Sequence, residues 1–150
     1  MSDYETNIDK WKLLVGGFIL SFGDIEMITY RLWCNLYGDR EFPKQFSDRT
    51  GKLIGKLAEK ESGNEALIGL LKKANKLSNK RHTIAHNPME VQVFEHTPTG
   101  RIFTESAIFS PINDDYIDDL ELEELVAEAE NLVADLFIEV GYVAKEAKSI

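Results

Sequence analysis

Residues 11–36 read WKLLVGGFILSFGDIEMITYRLWCNL. Trp11, Val15, Phe18, Phe22, Ile25, Thr29, Leu32 and Leu36 recur in alternating steps of four and three. That spacing predicts one long helix, about Asn7 to Tyr37, with a continuous apolar stripe. Gly16, Gly17 and Gly23 each weaken such a helix by up to ~1 kcal/mol relative to Ala, so they mark either close helix packing or an irregular turn. Gly38-Asp39 ends the segment and Pro43 sits in the loop that follows. A stripe this long needs other helices to cover it.

Those helices follow. Leu53, Ile54, Leu57 and Ala58 predict a buried face on a helix from Asp48 to Lys60, with Lys52, Lys56 and Lys60 as a basic ridge. Ser62-Gly63-Asn64 reads as a stop followed by a cap. Leu67, Leu70, Leu71, Ala74, Leu77 and Ala85 mark the inner stripe of a third helix, Glu65 to about His86, ended by Pro88. The period then changes. Residues 90–94 alternate, Thr97-Pro98-Thr99-Gly100 is turn chemistry, and residues 101–110 form a second extended run. This predicts a β-hairpin. Asp118 and Glu121 make a capping-box pattern for the last helix, with Ile117 placed to staple Leu122. Leu122, Leu125, Ala129, Leu132, Leu136, Val140 and Val143 carry its stripe. The expected class is mostly α: residues 1–150 as a single domain, an up-and-down bundle of four to five helices with a β-hairpin inserted before the last one.

Composition narrows the chemistry. The chain has 150 residues, 43% hydrophobic and 29% charged, which suits one packed domain and excludes a disordered one. Cys34 is the single cysteine, so a disulfide framework is excluded; it reads as a core thiol. The longest apolar run, Leu13 to Leu20, is eight residues and lacks a basic leader, so no membrane span and a cytoplasmic location are expected. The net charge of -9 is unevenly spread: -3 over residues 1–43, +6 over 44–81 and -12 over 82–150. A locally basic face can hold phosphates on an acidic protein, because screening lets the nearby field dominate. No P-loop, G-x-G-x-x-G or G-x-S-x-G is present. No cofactor is expected. His82 and His86 are spaced i, i+4, but no Glu stands in the metalloprotease position, so no metal is expected.

Two of the three histidines fall in residues 79–88, Asn-Lys-Arg-His-Thr-Ile-Ala-His-Asn-Pro, at the end of the third helix. Arg81 lies four residues from Leu77 and from Ala85, on the apolar stripe. A guanidinium facing inward needs partners or an interface. Asn75, Asn79, His82 and His86 line a polar stripe beside it. On a straight helix Arg81 and His86 stand about 140° apart. A loosened last turn or a second copy of the chain would be needed to bring them together.

This stretch resembles the R-[polar]-x3-H motif of HEPN domains, small helical bundles found in toxins, antiviral effectors and RNA-processing enzymes. Arg81 matches the motif arginine, His86 the histidine and His82 the polar position. Asn87-Pro88 and the long preceding helix also fit, as does a first helix with Phe18, Phe22 and an interior Glu26. The resemblance is specific at residues 79–88 and extends in pattern over most of the chain. The hairpin is an insertion that many members lack. The resemblance implies a metal-independent endoribonuclease, active as a homodimer whose two motifs share one cleft. His86 would be the base for the 2′-hydroxyl, a role that suits imidazole because it exchanges protons near neutrality. Arg81 would hold the non-bridging oxygens, and His82 would orient His86 or the substrate. Asn79, Lys76, Lys80 and Asn87 would support the RNA, with Lys72 and Lys73 adding backbone contacts. An antitoxin or other acidic protein covering the basic face is a further expected partner. The alternative is a non-catalytic HEPN-like module that binds protein or RNA. In that reading Arg81 pairs structurally with an acid such as Glu26, and the histidines bond the last carbonyls of their helix.

Overall fold

The computed structural model describes the backbone of residues 3–38 and 41–148, and the side chains of 7–38 and 41–141. Seven elements follow one another: α1 (Asp3–Tyr37), α2 (Phe46–Ala58), α3 (Glu65–His86), β1 (Met89–His96), β2 (Arg101–Ser110), β3 (Asp115–Asp118) and α4 (Asp119–Lys148). The protein is mostly helical, with a small antiparallel sheet before the last helix.

α1 forms as its stripe predicts. Trp11, Phe18, Phe22, Ile25, Thr29 and Leu32 are all buried. They face Leu53 of α2, Leu71 of α3 and Leu136 of α4, each fully buried in one continuous core. Gly17 faces α4, where a Cβ would make an ordinary contact 3.7 Å from Val126.

The helices do not simply alternate in direction. Lys10 of α1 bonds Asp119 and Glu123 at the start of α4, and the far ends meet where Ile28 and Asn35 lie beside Phe137 and Gly141. α1 and α4 therefore run the same way. α2 joins them: Phe46 packs on Phe22, with centroids 5.1 Å apart, and the Lys52 carbonyl six residues later accepts the Tyr37 hydroxyl at 3.0 Å. α3 opposes all three, with Lys80 against Glu121 and Ala66 beside Asp135. The up-and-down expectation fails because the link from α1 to α2 is not a tight turn. At ~3.3 Å per extended residue it is long enough to return along α1. Phe42 anchors that return by packing edge-on against Tyr30 and Trp33.

Helix ends follow local chemistry. α2 starts two residues before the predicted Asp48, because Phe46 already packs on the core. It stops at Ala58, which is exposed rather than buried. Glu59 and Lys60 close the end with bonds to the Lys56 and Leu57 carbonyls, and Gly63 supplies a φ of 100°. Asn64 occupies the N-cap position of α3, yet its amide reaches back to the Leu57 carbonyl at 3.1 Å. At α4 the forward half of the capping box is present: the Glu121 amide donates to Asp118 at 2.8 Å. The Glu121 carboxylate is drawn instead to Lys80, 3.1 Å away. Ile117 and Leu122 are both fully buried, as a staple requires. The Val143 side chain lies outside the described residues.

The hairpin forms, and a third strand joins it. β1 pairs with β2 from Met89↔Ile108 to His96↔Arg101, and β2 pairs with β3 from Ala107↔Asp118 to Ser110↔Asp115. Gly100 takes φ 66° in the first turn and Asp114 φ 54° in the second. The sheet is anchored at one end, where Ala107, Ile108 and Ile117 are buried, while residues 92–105 are exposed.

Two further expectations change. Cys34 is exposed, not a core thiol, because it falls on the outer side of α1. Residues 7–37 also contain an 18-residue window with mean hydropathy 1.4, of which 28% is buried. Counting only an unbroken apolar run missed it. By length and composition alone α1 is able to cross a membrane.

Candidate functional site at the end of α3

α3 stays helical through His86, and its end is capped rather than loosened. Asn87 is extended, and its amide donates to the Thr83 carbonyl at 2.9 Å. Consecutive residues on this last stretch consequently fan out in different directions.

Lys80 points toward β3 and α4. Its ammonium lies 2.7 Å from Asp115 and 3.1 Å from Glu121. Thr83, almost fully buried, donates to the other oxygen of Asp115 at 2.9 Å. The group fastens three elements together. Burial pulls the Lys80 pKa down, but its hydrogen bonds to Asp115 and Glu121 outweigh that and raise it above the ordinary lysine value. A folded pKa raised in this way gives stability that is complete below the unfolded value of about 10.4 and is lost as pH climbs through the folded one. We expect the urea-midpoint gap between wild type and Lys80→Met to be constant between about pH 6 and 9 and to close only in more alkaline solution. A gap that already shrinks on the way to neutrality would contradict the pairing. Asp115→Ala leaves Lys80 with Glu121 alone and the buried Thr83 hydroxyl with only the Asn79 carbonyl at 3.4 Å, and should cost about 1–2 kcal/mol by urea unfolding.

Arg81 points the other way, toward α1. It lies at the margin of the apolar stripe, with its side chain 43% exposed. The stripe passes instead through Leu77 and Ile84, and Ala85 is exposed rather than inward-facing. The Arg81 guanidinium stands over the Phe22 ring, 5.8 Å from its centroid, and 3.9 Å from Glu26. That distance is long for an ion pair, and a half-exposed pair contributes at most about 1 kcal/mol.

A second arginine, not singled out from sequence, belongs to the same cluster. Arg49 of α2 lies over Phe42, 4.3 Å from the centroid, and donates to the Lys44 carbonyl at 2.9 Å. Its Nε is buried and, among the described residues, has no hydrogen-bond partner. Burial lowers the Arg49 pKa; Glu26 acts against that, and Arg81 adds to it. Glu26 therefore sits in the field of two guanidiniums contributed by different helices. The only sequence clue was an arginine three residues after an aromatic, Phe46, in a basic helix.

His82 and His86 are exposed, with ring centroids 4.5 Å apart. They form one imidazole ledge on α3, as their i, i+4 spacing requires. Asn79 and Lys76 are exposed on the same helix, whereas Lys80 and Asn87 are engaged in holding the structure. Among the described residues no group of three or more His, Cys, Asp or Glu is gathered as for a metal ion. His96 closes the β1–β2 turn, its Nδ1 2.8 Å from the Thr99 hydroxyl.

No family model, curated protein or solved structure matches this chain. The chemistry of the site must be argued from its own residues. It offers two delocalised cations over aromatic rings, one carboxylate between them and two solvent-facing imidazoles a helical turn apart. Guanidiniums suit phosphate oxygens, and imidazoles suit proton exchange near neutral pH.

Proposed function

We propose that this chain is a HEPN-like endoribonuclease of the cytoplasm that acts as a homodimer and cleaves RNA without a metal, through attack of the 2′-hydroxyl on the adjacent phosphate. The observation that carries the reading is the exposed His82–His86 pair at the end of α3, on the helix that also carries Arg81. His86 takes the 2′-hydroxyl proton, Arg81 binds the non-bridging oxygens where charge builds up, and His82 steadies the neighbouring imidazole. The P–O5′ bond breaks and the 5′-oxygen takes a proton from solvent, giving a 2′,3′-cyclic phosphate and a 5′-hydroxyl. Arg49 adds a second cation to the phosphate approach. Because α3 stays straight, Arg81 and His86 diverge within one chain, which supports a cleft shared by two copies. Segregation of basic charge in residues 44–81 and acidic charge after them fits a toxin or defence effector masked by an acidic partner protein.

The test is incubation of the purified chain with mixed cellular RNA in excess EDTA. Cleavage with 2′,3′-cyclic phosphate ends is expected, and His86→Ala should leave the RNA intact. One observation favours a second reading. Arg81 already has Glu26 as a neighbour, as it would in a non-catalytic module of the same shape. An intact RNA pool with a folded wild type would select that module.

A further inference from the structure

The side of α1 turned away from the core carries its own pattern. Leu13, Leu20 and Met27 repeat every seven residues and are 78%, 74% and 53% exposed. Gly16 and Gly23, between them, have open space where a Cβ would stand. No other element of the described chain covers this line, although it runs down the longest helix of the fold.

The line is chemically symmetric about Leu20. Seven residues before it stands Leu13, and seven after it Met27. Eleven residues before it stands Asp9, and eleven after it Arg31, both exposed. A second copy laid antiparallel, with Leu20 on the two-fold axis, places Leu20 on Leu20, Leu13 on Met27 and Asp9 against Arg31. Every contact off the axis occurs twice, as an isologous interface requires. The glycines let the helices approach near the ~8 Å lower limit of helix packing. From Asp9 to Arg31 the seam is roughly 33 Å long at 1.5 Å per residue.

We infer that α1 pairs with α1 of a second copy of this chain through the face centred on Leu20. A lipid surface is the competing occupant, given the apolarity of α1. Interfacial helices bring an excess of lysines and arginines to anionic headgroups, whereas this face sets Asp9 and Asp24 against Arg31 on a protein of net charge -9. The two-fold axis stands normal to the plane of the two helices. It therefore leaves the Glu26–Arg81 flank of both copies on one side of the pair. The inference stands on α1 alone and survives if no RNA is cleaved.

Sedimentation velocity of the full chain, at concentrations up to about 100 μM, tests it. Wild type should shift from monomer to dimer with concentration. Leu20→Glu should be monomeric throughout with unchanged helical circular dichroism, because its side chain is exposed and the change sets like charges on the axis. Asp9→Arg and Arg31→Asp should each weaken the dimer by about tenfold, and the double exchange should restore it. A monomeric wild type, or a dimer indifferent to Leu20→Glu, overturns the inference. So does flotation of wild type, but not Leu20→Glu, with phosphatidylcholine vesicles, which would assign the face to lipid.

Discussion

His86→Ala should reduce RNA cleavage by about 10²–10⁴-fold, the usual loss when a positioned proton acceptor is removed. Arg81→Ala should fall at least as far, because it removes the cation at the phosphate. Neither change should move the unfolding free energy by more than about 1 kcal/mol. His86 is exposed at the end of its helix, and the half-exposed Arg81–Glu26 contact is long. The combination of lost turnover and kept stability separates a catalytic pair from a structural one. Arg81→Lys sharpens the distinction: an ammonium keeps the charge near Glu26 but loses the two-pronged grip on phosphate, so stability returns and activity does not. A loss of 2 kcal/mol or more in the Arg81→Ala urea midpoint would mean that the arginine belongs to the scaffold. Retained cleavage by His86→Ala would remove the histidine from the chemistry altogether.

Phe22→Ala should be the most damaging single substitution near the site, at about 3–5 kcal/mol. Phe22 is 1% exposed. Its ring stacks on Phe18 with centroids 6.3 Å apart, tilts against Phe46 at 5.1 Å and lies under Arg81 at 5.8 Å. Truncation opens a cavity where α1, α2 and α3 meet, and takes away the surface over which the guanidinium lies. Phe22→Leu should cost roughly half as much, since most of the volume stays. It still removes the aromatic face. If Arg81 is held partly by cation–π attraction, worth about 0.5–1 kcal/mol at such a site, then Phe22→Leu should raise KM for RNA more than its stability loss explains. Thermal and urea unfolding beside steady-state cleavage would measure both. A Phe22→Ala protein as stable as wild type would show that the three helices do not share this core.

Helix positions were legible along the chain wherever the deciding atoms are neighbours in sequence. The α1 stripe, the Gly63 stop, Asp118 at the head of α4 and Pro88 after α3 all act within a turn or two, so spacing alone locates them. The β1–β2 hairpin was legible for the same reason, through Thr97–Gly100. β3 was not: four residues are too few for alternation to register, and only pairing with residues 107–110 makes them a strand. The motif residues were equally visible as a group, and so was the angle of about 140° between Arg81 and His86, but the partners each side chain reaches were not. Lys80 and Arg81 are adjacent in sequence, yet one reaches Asp115 and Glu121 while the other faces Glu26.

Local sequence determined that this protein is a set of amphipathic helices with a hairpin, carrying an arginine and two histidines at one helix end. Tertiary structure alone decided that α1, α2 and α4 run together against α3, that Arg49 joins Arg81 around Glu26, and that Lys80 and Asn87 serve the scaffold. The physical reason is the range of the forces involved. Periodicity and capping are settled between residues a few positions apart. The direction of a returning loop and the partner of a long charged side chain are settled by which distant surfaces the core brings within a few ångströms.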